Sequence, residues 1–144
     1  MPLPTAIVPL PAPYQGTGVY FQGIVHCILD GITPTQANAL VRPLCHALKA
    51  DACGILLLND TQTGFKPLVY VKETDTAIWE SGCGSGTAAV GCYLATLQQT
   101  SCSVTLTQDG GILSSQVTMD CGTISHVSIS GYVSVVHGNR NLVL

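Results

Sequence analysis

The spacing of apolar positions changes twice along this chain and divides it into strands, two helices and a closing run of strands. Residues 18–30 (GVYFQGIVHCILD) are dense in β-branched and aromatic side chains and predict one strand bent at Gly23. The period then becomes helical. Ala37, Leu40, Val41, Leu44, Cys45 and Leu48 recur at the i, i+3, i+4, i+7 spacing of an apolar face, Thr33 can cap the helix, and Pro34 suits its first turn. Pro43 lies off that face, where it can kink the helix. Residues 52–59, 67–73 and 77–80 predict strands, separated by turns at Thr61-Gln62-Thr63-Gly64 and Thr74-Asp75-Thr76. From Gly86 to about Leu97 nearly every side is small or apolar, the mark of a helix enclosed by protein on all faces. Residues 103–107, 112–119, 125–129, 132–137 and 142–144 predict short strands, with turns at Gly110-Gly111, Asp120-Cys121-Gly122 and Gly138-Asn139. The expected fold is therefore α+β: a mostly antiparallel, β-barrel-like sheet wrapped around one buried central helix. Residues 1–17 predict an extended, proline-rich lead-in, and residues 18–144 a single domain.

Length changes this picture little, since 144 residues make one domain with a real core. Composition changes it more. Charged residues are only 9% of the chain, against roughly 25% in typical soluble domains, and mean hydropathy is +0.41, so part of the surface should be covered. The longest apolar runs, such as residues 54–58, fall far short of the ~20 residues a spanning helix needs, which excludes a membrane-spanning helix and favours a protein partner. The N-terminus carries no basic leader and its prolines interrupt any apolar helix, so it does not read as a signal peptide. Seven cysteines without a CxxC pair form neither a disulfide framework nor a zinc site; they suit a reducing, cytoplasmic location. A net charge of −3 with five Lys and Arg leaves no footprint for nucleic acid.

The candidate chemistry sits where the second helix begins, at Glu80-Ser81-Gly82-Cys83-Gly84-Ser85-Gly86-Thr87. A cysteine at a helix entrance lies beside unpaired N–H groups and the positive end of the helix dipole, an arrangement expected to lower its pKa and to bind an anion. The same run could also be a tight turn into a close-packed helix, with the cysteine a small buried hydrophobe. It lacks the Gly-Lys-Ser/Thr ending of a phosphate loop. His26, His46, His126 and His137 are isolated, without metal-ligand spacing, and read as structural or surface histidines. Cys27, Cys45, Cys53, Cys92, Cys102 and Cys121 lie on apolar faces or in turns and read as packing residues.

The segment from Glu80 to Ala89 resembles the second catalytic-cysteine motif of the cofactor-independent amino-acid racemases and epimerases, the superfamily of diaminopimelate epimerase and proline racemase. Gly23-Ile24-Val25-His26 stands where diaminopimelate epimerases carry Gly-Asn-Pro-His. Gly110-Gly111-Ile112-Leu113 and Ser130-Gly131-Tyr132-Val133 follow in the same order, so residues 19–138 align with the second half of such an enzyme. Within the superfamily, Pro67-Leu68-Val69-Tyr70-Val71 followed by the cysteine motif looks most like the histidine racemases of opine-type metallophore pathways.

The resemblance implies a cofactor-independent racemase in which two cysteines flank the substrate Cα, one removing a proton and the other delivering one. Cys83 would be one acid/base, and the amides of Gly84, Ser85 and Gly86 would clamp the substrate carboxylate. Glu80, with Ser81 beside it, would take the substrate ammonium, and His26 falls in the strand that lines the site in the family. The other cysteine, expected in a Cys-Gly-Asn-Gly-type motif, has no counterpart in this reading, so a companion chain or domain would supply it. Self-pairing of two copies ranks below that. Ile24 in place of the Asn, Ser81 in place of an Arg, and the lack of an Asn-Val-Gly pattern near Ala52-Cys53-Gly54 disfavour a substrate with a distal amino-acid head, as in a diaminopimelate epimerase. The alternatives are a non-catalytic ligand-binding or structural half-domain of the same fold, and a Cys/His hydrolase, which needs a histidine brought to Cys83.

Overall fold

In a computed structural model, which describes residues 1–133, the chain forms two β-sheets and two helices. The first sheet contains β1 (Ala6–Pro9), β2 (Gly16–Phe21), β3 (Ile24–Leu29), β4 (Ala52–Leu58), β5 (Phe65–Val71) and β6 (Thr76–Trp79), hydrogen-bonded in chain order. All neighbours are antiparallel except β3 and β4, which run parallel because α1 (Pro34–Ala47) carries the chain back between them. After α2 (Gly84–Gln98), the strands β7 (Cys102–Gln108), β8 (Gly111–Asp120) and β9 (Thr123–Val133) make an antiparallel three-stranded sheet. Among the described residues a single parallel bridge, Gly64 to Thr107, connects the two sheets.

Helix α1 forms where its periodicity places it. The Thr33 hydroxyl accepts from the Gln36 N–H while the Gln36 side chain accepts from the Thr33 N–H, a reciprocal cap that satisfies two donors of the first turn. Its buried face of Ala37, Val41, Leu44 and Cys45 packs on Val25, Cys27, Leu29, Ile55 and Leu68, all on one face of the first sheet. Burying a side chain such as Leu44 contributes about 1.5–3 kcal/mol. The opposite face of that sheet presents Val19, Phe21, Ile28, Leu56 and Phe65 to α2, which also packs against Leu106, Val117 and Val127 of the second sheet. Apolar layers on both sides explain why β3 and β4 read as continuous apolar runs rather than alternating ones. Helix α2 is buried from Gly86 through Cys92 with no polar face, and Gln99 ends it in a left-handed conformation.

Three expectations change. Residues 18–30 are a hairpin rather than one bent strand: Phe21 pairs with Ile24, and Gly23 supplies the positive φ (90°) of the two-residue turn. The described strands form two separate sheets with open edges, not a closed barrel. Residues 125–129 and the start of 132–137 join as the single strand β9; the remainder of 132–137, the Gly138-Asn139 turn and 142–144 lie outside the described residues. The proline-rich segment contributes the edge strand β1, where a strand tolerates prolines that cannot donate to the ladder. Among the described residues no helix is long and apolar enough to cross a membrane.

Candidate active site

Strand β6 delivers the chain to the start of α2, and Cys83 is the N-cap residue there. Its sulfur replaces the usual cap oxygen: Sγ accepts the Gly86 N–H at 3.2 Å, and its carbonyl accepts the Thr87 N–H at 3.0 Å and the Thr87 hydroxyl at 2.7 Å. From the second sheet, Gln108 locks the turn by accepting the Cys83 N–H through Oε1 at 2.8 Å and donating through Nε2 to Thr87 Oγ1 at 2.9 Å. From the first sheet comes His26, wholly buried on β3, whose Nε2 lies 2.8 Å from Ser85 Oγ; that oxygen is 3.6 Å from Cys83 Sγ. The ring has room because the facing residue on β4 is Gly54, where a Cβ would come within 2.3 Å of His26 Nδ1. Phe21 meets the ring edge-on with centroids 6.3 Å apart.

Electrostatics overturns one expectation. Burial pushes the Cys83 thiol up to about 11; the hydrogen bonds from Ser85 and Gly86 pull the other way, while the charge and hydrogen bonding of Glu80 favour the protonated thiol. The helix-end effect anticipated from sequence is present, but desolvation exceeds it. Cys83 therefore rests as a thiol at neutral pH. His26, with no charged partner and fully buried, is pushed down to about 4 and is a neutral imidazole.

The structure brings Cys83, Gly84, Ser85 and Gly86 together in one turn, with Glu80 near the thiol. Ser81 is exposed, and its carbonyl accepts the Gly110 N–H at 2.7 Å, which ties the site loop to the β7–β8 turn. The Gly86 N–H is already engaged by the cysteine sulfur, whereas those of Gly84 and Ser85 have no partner among the described residues. His46 and His126 are exposed and far from this turn in the chain, and His137 lies outside the described residues. His26 is buried, as a structural histidine is, and is not isolated from the site turn, which it contacts through Ser85. Gln108 carried no sequence signal, and Thr87 only its place at the end of the motif; only folding brings Gln108 across 25 positions to Cys83. An open groove of about 280 Å³, walled by Leu58, Phe65, Lys66, Gln108 and Asp109, runs along the seam between the sheets beside this turn. The described residues hold no cluster of three or more metal-ligating side chains.

Comparisons with known proteins converge on histidine racemases. The family described as the histidine racemase CntK N-terminal domain matches residues 1–140. A histidine racemase of Staphylococcus aureus (strain Mu50 / ATCC 700699) is 34% identical over 75 residues, covering 51% of this chain and 28% of that protein. A histidine racemase of Fusobacterium nucleatum subsp. nucleatum (strain ATCC 23726 / VPI 4351) is 46% identical over 81 residues, covering 53% of this chain and 31% of that protein. The matched stretch thus spans less than a third of each relative's length. Because the matching family is an N-terminal domain, the alignment with the second half of a racemase is corrected: the chain corresponds to the first. The chain belongs to the histidine racemase CntK N-terminal domain family.

Proposed function

We propose that this chain is the N-terminal half-site of a cofactor-independent amino-acid racemase acting on histidine, with Cys83 as one of two acid/base groups. On this placement Cys83-Gly84-Ser85-Gly86 is the first-half Cys-Gly-Asn-Gly-type motif with Ser85 in the Asn position. The first-half cysteine is then Cys83 itself, and the one to be supplied belongs to the remaining half.

The observation that carries the reading is a buried thiol at the N-cap of α2 next to two helix N–H groups without a partner among the described residues. The Cα–H of an amino acid is a very weak acid, so the carbanion must be stabilised as it forms. The Gly84 and Ser85 amides, preorganised at a helix N-terminus, are placed to hold the carboxylate into which that charge spreads. Glu80 is the candidate for the ammonium. Resting as a thiol, Cys83 enters as the proton donor on one face of Cα, while the partner thiolate removes the proton from the other; the reverse turnover exchanges the roles.

A Cys/His hydrolase is a weaker reading although a histidine does approach Cys83. Its base must bond the thiol directly and then protonate a leaving group, whereas His26 is fully buried behind Ser85. The test is deuterium incorporation at Cα of histidine in D2O, with the chain alone and with the C-terminal half of the Fusobacterium nucleatum racemase supplied as a separate polypeptide. Deuterium incorporation with inversion that disappears in Cys83→Ala supports the proposal. Inversion that survives it, or none with Cys83 intact, would leave the non-catalytic half-domain.

A further inference from the structure

The acid/base role of Cys83 gives no reason for a histidine inside the core. His26 is fully buried, sits on the sheet face turned toward α2, and its ring hydrogen-bonds to Ser85, a residue two positions from the thiol. Its other ring nitrogen, Nδ1, has no hydrogen-bond partner among the described residues. That orphan determines which nitrogen carries the proton. A buried N–H without an acceptor is costlier than a bare lone pair without a donor, so Nδ1 is unprotonated and the proton resides on Nε2. Nε2 then donates across the 2.8 Å to Ser85 Oγ, leaving the serine's own proton free to point elsewhere. The neighbouring acceptor is Cys83 Sγ at 3.6 Å.

We propose that His26 and Ser85 are positioning residues for Cys83: the His26 Nε2–H donates to Ser85 Oγ and so turns the Ser85 hydroxyl proton onto the cysteine sulfur. Two donors then converge on Sγ, the Ser85 O–H and the Gly86 N–H, and both favour the anionic sulfur that the racemase cycle must visit. The opposite polarity, with Ser85 donating to His26, would leave an Nδ1–H buried against Gly54 with nothing to accept it. Gly54 belongs to the same device, since any side chain there would displace the ring. Glu80 is a charged group that acts against it at the thiol.

The proposal deepens the reading of Cys83 as the reacting thiol, but its test reads the sulfur directly and needs no turnover, so the two fail separately. The whole chain is alkylated with iodoacetamide at pH 8 and the rate at Cys83 followed by peptide mass mapping, with exposed Cys121 as internal reference. Losing a hydrogen bond to a charged sulfur lowers the thiolate population about ten- to hundredfold. The greater nucleophilicity of the more basic thiolate returns about half of that on a logarithmic scale. Ser85→Ala should therefore slow Cys83 alkylation about three- to tenfold, although the smaller side chain opens access, and Ser85→Thr should restore it. His26→Gln, which keeps a side-chain N–H donor, should react faster than His26→Leu. Nitrogen-15 NMR should show His26 protonated at Nε2 and bare at Nδ1. An unchanged or faster Cys83 rate in Ser85→Ala, or a proton on Nδ1, would overturn the proposal. If His26→Leu unfolds, reported by new alkylation at buried Cys92, Ser85→Ala and the NMR measurement decide.

Discussion

Gly54→Ala probes the geometry at a position whose nearest neighbour is the His26 ring rather than Cys83. A Cβ on Gly54 would stand 2.3 Å from His26 Nδ1 and 2.8 Å from Cε1, both far inside van der Waals contact. The ring cannot retreat freely, because His26 is fully buried on β3 with Phe21 against it. Overpacking of this kind costs about 1–3 kcal/mol. Restricting the unfolded chain by Gly→Ala returns about 0.4–1 kcal/mol where the backbone is ordinary, and Gly54 is not among the positive-φ residues. The net expectation is a loss of about 1–2 kcal/mol, or about 3–8 °C in Tm for a domain of this size, with slower Cys83 alkylation as the Ser85 contact is lost. The double-mutant cycle sharpens this. In a His26→Ala background the new methyl meets no ring, so Gly54→Ala should become neutral or stabilising by about 0.4–1 kcal/mol. Chemical denaturation of the four proteins gives both numbers, and equal losses in the two backgrounds would refute the reasoning.

Two further outcomes follow from the electrostatics. His26 titrates near 6.5 when unfolded but only at about 4 when folded, so the unfolded state binds the extra proton first. Stability is then full above pH 6.5 and falls by up to about 3 kcal/mol between there and pH 4; urea midpoints measured against pH should show that slope in the wild type and lose it in His26→Gln. Glu80→Gln removes a charge that raises the Cys83 thiol, so alkylation of Cys83 should speed up. If Glu80 also holds the substrate ammonium, the same variant should raise KM, and a slower or unchanged alkylation rate would count against its place beside the thiol.

Local rules were readable in the sequence, and contacts between distant segments were not. Helix α1 was legible because a cap, a proline at the first turn and six apolar positions all agree. The Cys83 turn was legible because glycines, a cysteine and a run of small residues coincide at one helix start. The hairpin at Gln22-Gly23 was missed because apolar residues flank the turn on both sides, and a two-residue turn leaves little polar punctuation. The direction of the thiol shift was misread for a different reason. Helix-end donors are local and visible, whereas the burial that outweighs them comes from strands on either side of α2. The contact of His26 with Ser85 spans 59 positions and depends on a glycine in a third element. Which half of the family's fold the chain matches was not legible, because the residues after Cys83 suit the second-half motif and Ser85 replaces the Asn expected of the first.

The most direct test of the account is Cα exchange of histidine in D2O by the wild-type chain completed with a racemase C-terminal half, set beside the same mixture carrying Cys83→Ser. Deuterium should enter Cα with inversion in the first mixture, and inversion should fall to background in the second, where the partner thiolate alone returns the label only with retention. Equal inversion in both, or none with Cys83 intact, would contradict the claim that this cysteine moves the substrate proton.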